Sequence, residues 1–215
     1  MSKRAQAAKK GSKSLQGSII ELIVIVAVAL GLALGIQWVI IKPYRIPSGS
    51  MEPTLAIGQR VLVNRIGEDL GEPHVGEIAV FHPPEGAEHE ICGVSRAPGE
   101  ACRLPNSKKD GGVNFIKRVV AGPGDEIYIR AGHVFRKASG TSTFVAEKDS
   151  YIRPCVPGDE CELPKPIRIP AGHWFMMGDN RGESDDSRFW GPVPTGWVIG
   201  AAVATYWPPD RIGTL

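Results

Sequence analysis

The distribution of hydrophobic and polar positions divides the chain near residue 41. Leu22–Ile41 is a run of 20 residues without a charged side chain, and its one polar side chain, Gln37, lies near the end beside Trp38. A helix of this length spans roughly 30 Å, which is the thickness of the hydrocarbon core of a bilayer. The run therefore predicts a transmembrane helix over residues 22–41.

Two other interpretations of this run are weaker. A cleaved signal peptide has a shorter apolar centre and ends in small residues, whereas this run ends in Ile40, Ile41, Lys42 and Pro43. A buried core helix that lacks a polar face is rare in a chain of 215 residues. We therefore expect an uncleaved anchor that crosses the membrane once.

Beyond residue 41 the pattern changes to short apolar or alternating stretches separated by glycine and proline. Such stretches are typical of strands, and none of the sequence after residue 42 has a long helical period. We predict a mainly β domain over residues 42–215, with surface insertions at 83–112 and 136–168, which are rich in Gly, Pro, Ser and charge. The predicted strands are Arg60–Asn64, Gly76–His82, Asn114–Val120, Glu126–Arg130, His173–Met177 and Val198–Tyr206.

The charge pattern predicts how the anchor is oriented. Residues 1–21 contain five basic residues, all of them before the single acid Glu21, whereas residues 42–215 contain 20 basic and 22 acidic residues. The positive-inside rule then predicts a basic cytoplasmic tail over 1–21 and an extracytoplasmic domain over 42–215. Because no basic field covers this domain, a nucleic-acid partner is not expected.

Four cysteines fit a domain in an oxidising compartment. Cys92, Cys102, Cys155 and Cys161 allow three connectivities, of which two local bridges, Cys92–Cys102 and Cys155–Cys161, are the simplest. A zinc site made from all four is the alternative, but neither spacing resembles CxxC. The five histidines are scattered without metal-ligand spacing, so we expect no metal and no cofactor.

The candidate chemistry rests on one lysine and one serine. Lys117 lies within Asn-Phe-Ile-Lys-Arg-Val-Val, where an inward side chain would be desolvated and available as a neutral base; an outward strand lysine is the alternative. Ser50 lies between prolines 47 and 53, and a serine in contact with a neutral amine can attack a carbonyl. Ser48 could help to stabilise the resulting oxyanion. An ordinary linker after the membrane helix is the alternative for this segment.

Four sequence blocks in this order resemble the bacterial type I signal peptidases. They are Pro-Ser-Gly-Ser-Met-Glu-Pro-Thr-Leu at 47–55, Gly-Gln-Arg-Val-Leu-Val-Asn-Arg at 58–65, Phe-Ile-Lys-Arg-Val-Val-Ala-Gly-Pro-Gly-Asp at 115–125, and Gly-Asp-Asn-Arg-Gly-Glu-Ser-Asp-Asp-Ser-Arg at 178–188. The resemblance covers most of residues 43–207 and implies an antiparallel, barrel-like β catalytic domain. Gln59, at a position that is often Asp, and Glu52, after the Met, depart from the family pattern.

The resemblance also implies a role for each matched residue. Ser50 falls on the nucleophile, Lys117 on the general base, Ser48 on the oxyanion-hole hydroxyl and Ser184 on the serine that hydrogen-bonds and orients the base. The remaining matches are two supporting charge pairs, Asp186 with Arg188 and Asp179 with Arg118. The positions matching the small apolar substrate pockets are Ile46, Pro47, Met51, Leu55, Phe115 and Ile116.

These implications predict a membrane-bound serine endopeptidase that removes signal peptides from exported preproteins. Its partners would be secretory preproteins with small-x-small residues before the cleavage site and the lipid bilayer, which an apolar strip near Met51 and Phe115 would touch. A related Ser-Lys autoprotease that cuts its own linker is one alternative. A catalytically inactive, membrane-tethered adaptor is another, although Ser50, Lys117, Ser48 and Ser184 are all present.

Overall fold

The computed structural model separates the N-terminal helix from the rest of the chain. The two compact units cover residues 1–40 and 41–215. The residues that the structure describes are 15–65, 72–89, 91–95, 97, 100–105, 109–155 and 161–215. The basic residues of the predicted cytoplasmic tail, Lys3, Arg4, Lys9, Lys10 and Lys13, lie outside these ranges.

Helix α1 covers Leu15–Ile40 and has 26 residues. It starts before the predicted span, and Ile41, the last predicted helical residue, instead begins the first strand. Its segment Gly17–Gly35 is long and apolar enough to cross a membrane, and the side chains of that segment are exposed. Apolar side chains on every face of an uncovered helix suit a lipid environment.

The regular structure of the second unit consists mostly of antiparallel strands. In chain order they are β1 Ile41–Arg45, β2 Arg60–Asn64, β3 Ile78–Phe81, β4 Phe115–Ala121, β5 Glu126–Arg130, β6 His133–Lys137, β7 Val145–Ala146, β8 Leu163–Arg168, β9 His173–Met177, β10 Val193–Pro194, β11 Val198–Trp207 and β12 Gly213–Thr214, with a short helix α2 at Ser187–Trp190. The mainly β, antiparallel fold is confirmed.

The larger sheet places distant segments of the chain side by side. Its order is β1-β2-β11-β3-β4-β9-β10, and β12 pairs with β11. Strand β4 pairs with β3 along Phe115–Arg118, but its pairing with β9 begins only at Arg118. The β9-facing edge of residues 115–117 is therefore left unpaired by this sheet.

A second sheet corrects the prediction that 136–168 is a surface insertion. Strands β7, β6, β5 and β8 pair in that order, so the segment supplies two complete strands and the end of β6. Strand β8 contains Pro164 and Pro166, which lack the N–H that a ladder needs and are tolerated because β8 is an edge strand. These prolines removed the strand pattern from the sequence.

Apolar side chains on both faces of the larger sheet explain its stability. Strand β3 is buried at all four positions: Ile78 and Val80 belong to one core cluster, and Ala79 and Phe81 to another. Because strand side chains alternate between faces, β3 is covered on both sides. This central strand lies beside β4 and so fixes the strand that carries Lys117.

The two local disulfides have the predicted pairing. Cys92 is bonded to Cys102 and Cys155 to Cys161, and none of the cysteines in the described residues is free. A zinc site made from these four thiols is therefore excluded.

Candidate active site

Ser50 lies in a tight turn that follows β1 in the chain. The turn is a single 3-10 helix, Gly49–Met51, and Ser50 itself is 8% exposed. Backbone hydrogen bonds from Ile46 N–H to the Gln59 carbonyl and from Gly58 N–H to the Ile46 carbonyl, each 2.8 Å, close the loop around it. This closed loop presents the Ser50 hydroxyl in a fixed position at the end of β1.

Gln59, which departs from the family pattern, supports this loop. Its side chain is 3% exposed. It accepts a hydrogen bond from Ala56 N–H at 2.8 Å and donates one to Thr205 Oγ1 at 2.9 Å. A neutral amide satisfies both partners, so this departure is compatible with a formed site.

The segment 178–188 holds the serine turn from the other side. Asn180 N–H donates to the Ser50 carbonyl at 3.0 Å, and its side-chain amide donates to the Gly49 carbonyl at 3.2 Å. Gly178 is required here because a β-carbon at this position would overlap the Ser50 carbonyl oxygen and Ser184 Oγ. Sequence reasoning did not assign a role to Asn180, although it belongs to the block that carries the resemblance.

Lys117 and Ser50 are brought together although 67 residues separate them. Lys117 Nζ lies 2.6 Å from Ser50 Oγ, and the lysine is only 4% exposed. Burial lowers the pKa of Lys117 to about 8, an effect that the negative charges of Asp186 and Asp185 partly oppose. The inward orientation, one of the two considered from sequence, is the one observed.

Asp186 and Arg188 form the predicted charge pair beside the lysine. Arg188 Nε and Nη2 donate to the two carboxylate oxygens at 2.8 and 2.9 Å, and Gly178 N–H donates to the same carboxylate at 3.1 Å. Burial alone would raise the pKa of Asp186, but the Arg188 guanidinium outweighs it and the pKa is lowered. The carboxylate therefore stays ionised and faces Lys117 as a fixed negative charge.

The second predicted pair joins β4 to segment 178–188. Arg118 Nε and Nη2 donate to Asp179 at 2.9 and 2.7 Å, and the Thr54 hydroxyl donates to the same carboxylate at 2.6 Å. This carboxylate thus links the strand of Lys117 to the loop of Ser50. Two charge-assisted bonds in parallel make the link geometrically specific.

The two other predicted serines differ in what they contact. Ser48 is exposed, and its hydroxyl donates to Ser50 Oγ over 3.4 Å. Ser184 Oγ is buried and has no hydrogen-bond partner, so the hydrogen bond to Lys117 that the resemblance implied is not formed. The reason is positional, since Ser184 Oγ lies against Gly178 while Lys117 Nζ bonds Ser50.

A cleft of about 220 Å³ opens over Ser50 and Lys117. Three of the predicted substrate-pocket residues, Pro47, Phe115 and Ile116, line it, together with Ser48, Asn114, Glu183 and Asp185. Nothing in the sequence singles out Asn114, Glu183 or Asp185, because polar residues in loops are common.

The other three predicted pocket residues do not line the cleft. Ile46, Met51 and Leu55 are at most 2% exposed and belong to the core cluster beneath the loop. Their apolar side chains pack together under the serine turn, because this removes them from water. Since Met51 is fully buried, it also cannot belong to an exposed strip that touches lipid.

Both disulfides contact the end of segment 178–188. Cys102 N–H donates to the Arg188 carbonyl at 3.0 Å, and Arg188 Nη1 lies 3.7 Å from Cys161 Sγ. The bridges therefore fasten two loops to the residue that pairs with Asp186. Within the described ranges, no group of three or more His, Cys, Asp or Glu residues could hold a metal ion.

Comparison with known proteins shows the family of this chain. Residues 19–207 match the family described as signal peptidase, peptidase S26. The chain is 36% identical over 196 residues to a probable signal peptidase I-1 of Synechocystis sp., covering 91% of this chain and 86% of that protein. It is 32% identical over 197 residues to signal peptidase I of Leptolyngbya laminosa, covering 92% and 84%.

A solved structure, a signal peptidase I from Enterococcus faecalis, is also similar. It has 20% identity and a TM-score of 0.36, and the match covers 60% of this chain and 96% of that one. The family match extends from the apolar helix to the end of β11 and includes all four sequence blocks. This chain belongs to the signal peptidase family, peptidase S26.

Proposed function

We propose that this signal peptidase cleaves preproteins with Ser50 as the nucleophile and Lys117 as the general base. One observation carries the assignment: a buried lysine amine lies 2.6 Å from a serine hydroxyl at the floor of a cleft. The family membership supplies the reaction, a serine endopeptidase that removes signal peptides.

The first half of the reaction transfers an acyl group to Ser50. The neutral Lys117 amine accepts the proton of the Ser50 hydroxyl as Oγ attacks the carbonyl carbon before the scissile bond. The resulting ammonium then gives this proton to the leaving amine as the C–N bond breaks. The mature protein departs with a free N-terminus, and the signal peptide stays on Ser50 as an ester.

The second half returns the enzyme to its starting state. Lys117, neutral again, accepts a proton from a water molecule that attacks the ester carbonyl. The ammonium protonates Ser50 Oγ as the ester bond breaks, so the signal peptide leaves with a carboxylate at its end. In both halves the amine must be neutral at the start, which its buried environment favours.

Two donors near Ser50 suit the negative charge that develops on the carbonyl oxygen. The Ser50 N–H is one, and the exposed Ser48 hydroxyl, 3.4 Å from Ser50 Oγ, is the other once it rotates towards the oxyanion. A 3.4 Å bond to Ser50 is weak, so little is lost by the rotation.

The cleft and the free edge of β4 support binding of an extended segment with small residues. The unpaired backbone of residues 115–117 offers hydrogen-bonding groups to a substrate strand beside Lys117. Phe115 and Ile116 border a space of about 220 Å³, which suits small side chains such as alanine. These features support a small-x-small preference.

Membrane attachment is the remaining part of the proposal. The exposed apolar segment Gly17–Gly35 would anchor the enzyme, with 1–21 on the cytoplasmic side and 42–215 outside. The catalytic unit exposes Ile57, Trp207 and Ile212 at 64, 49 and 65%. We propose these side chains, in place of Met51, as its contact with the bilayer surface, because Trp favours the interface.

The test is processing of a preprotein by the full chain in detergent. Ser50→Ala and Lys117→Ala are each expected to abolish cleavage, and Lys117→Arg as well, because a guanidinium does not give up its proton at a usable pH. Lys165→Arg, at an exposed lysine paired with Glu100, is the matched control and should retain activity. Substantial cleavage by Ser50→Ala or Lys117→Ala would refute the dyad, and self-cleavage alone would favour an autoprotease.

A further inference from the structure

Two carboxylates border the cleft and take no part in the proposed proton transfers. Glu183 and Asp185 are both exposed, and both line the cleft with Ser50 and Lys117. The other residues that line it, apart from Lys117, are uncharged. The cleft therefore has a negative rim.

Contacts place these charges close to the reacting groups. Glu183 Oε2 accepts a hydrogen bond from Asn180 Nδ2 at 3.1 Å, and the same amide donates to the Gly49 carbonyl beside Ser50. The negative charge of Asp185 acts on the Lys117 amine. One carboxylate is thus linked to the turn of Ser50 through Asn180, and the other lines the same cleft as Lys117.

Glu183 and Asp185 differ from the nearby Glu52 in that no ion pair within the described residues compensates their negative charges. Glu52 forms an ion pair with Arg153 at 3.4 Å, which compensates its charge. In the part of the chain that the structure describes, neither Glu183 nor Asp185 forms an ion pair. Their charges are available to a bound segment.

We propose that Glu183 and Asp185 select substrates by charge, favouring a basic and disfavouring an acidic residue at the middle position of the small-x-small segment or just after the scissile bond. The inference rests on the proposed function, because the ligand is the peptide that occupies the cleft over Ser50. A substrate lysine here meets two opposite charges, whereas a glutamate meets two like charges. For charges about 8 Å apart in water at low salt, the two substrates should differ at least tenfold in kcat/KM.

The experiment compares blocked peptides that keep alanine at both small positions and carry a single Lys, Gln or Glu either between them or at one of the first two positions after the cleaved bond. The full-length enzyme in detergent is assayed at pH 9 and about 10 mM salt. At this pH most Lys117 amines are neutral in every variant, while a substrate lysine stays charged. The readout is the Lys-to-Glu ratio of kcat/KM, in which any general effect of a mutation on the dyad cancels.

The wild type is expected to give a ratio of at least about ten at one or more positions, falling below about two at 1 M salt. The double variant Glu183→Gln/Asp185→Asn should lower the low-salt ratio to about one to two. Glu88→Gln, an exposed glutamate that does not line the cleft, should keep the wild-type ratio. A wild-type ratio near one at every position, or an unchanged ratio in the double variant, would overturn the proposal. Failure to cleave even the Gln peptide would instead count against the proposed function.

Discussion

The titration of Lys117 should control the pH dependence of cleavage. Desolvation lowers the pKa of this amine from 10.5 to about 8, against the opposing charges of Asp186 and Asp185. Only the neutral amine can accept the Ser50 proton at 2.6 Å. Varying the pH therefore changes the fraction of enzyme that is able to react.

The size of the effect follows from the two pKa values. At pH 7 about one enzyme molecule in ten has a neutral amine when the pKa is about 8, against about one in 3,000 at 10.5. Burial thus increases the reactive population about 300-fold. The rate should rise about tenfold from pH 6 to 7 and about fivefold from pH 7 to 8, then level off above pH 9.

The assay is kcat/KM of the full-length enzyme in detergent on a blocked peptide without ionisable side chains. This ratio reports the pKa of the free enzyme and is independent of slow product release. Unfolding measured by circular dichroism at each pH is the control, since a loss of folded protein at low pH would mimic the titration. A flat profile between pH 6 and 10, or a midpoint above pH 10, would refute the role of a desolvated amine.

Two further predictions concern stability and fit. Lys117→Met should stabilise the folded catalytic unit by about 3 kcal/mol at pH 7, because below pH 8 the wild type must bury a charged amine that the unfolded chain leaves in water. This gain in stability should decline between pH 8 and 10.5 and be absent at pH 11. Chemical denaturation of both proteins across this pH range measures it. A gain that does not depend on pH would contradict the burial of a charged amine as its cause. Gly178→Ala should abolish cleavage, since the added carbon overlaps the Ser50 carbonyl and Ser184 Oγ, whereas Gly196→Ala, in open space, should keep it. Peptide cleavage rates and thermal unfolding test this pair, and near-normal activity of Gly178→Ala would contradict it.

The local hydrophobic pattern was sufficient to predict the elements whose residues are continuously apolar or alternate regularly. The apolar run gave the helix, and strands such as Arg60–Asn64 and Glu126–Arg130 coincide with β2 and β5. The strand β8 was missed because Pro164 and Pro166 occupy an edge, where backbone N–H groups are not needed. Whether an element is at an edge depends on sheet order, which no single segment encodes.

The candidate site shows the same division between local and long-range information. The motifs identified Ser50 and Lys117, but their distance depends on the order β11-β3-β4-β9 and on segment 178–188. Motif matching also placed Ile46, Met51 and Leu55 in substrate pockets, whereas burial assigns them to the core. A residue type at a matched position does not tell which side of a loop it occupies, and only packing decides this.

Segment 178–188 links the position of Ser50 to the protonation of Lys117. Asn180 holds the Ser50 carbonyl, while Asp186, on the same segment, acts on the charge of Lys117. A displacement of this segment would therefore change the position of Ser50 and the pKa of Lys117 together. Asp179 ties it to Arg118 on β4, and Arg188 is in contact with both disulfide-linked loops. Restraint on both sides is what a 2.6 Å contact between groups 67 residues apart requires, because small shifts weaken so short a hydrogen bond steeply.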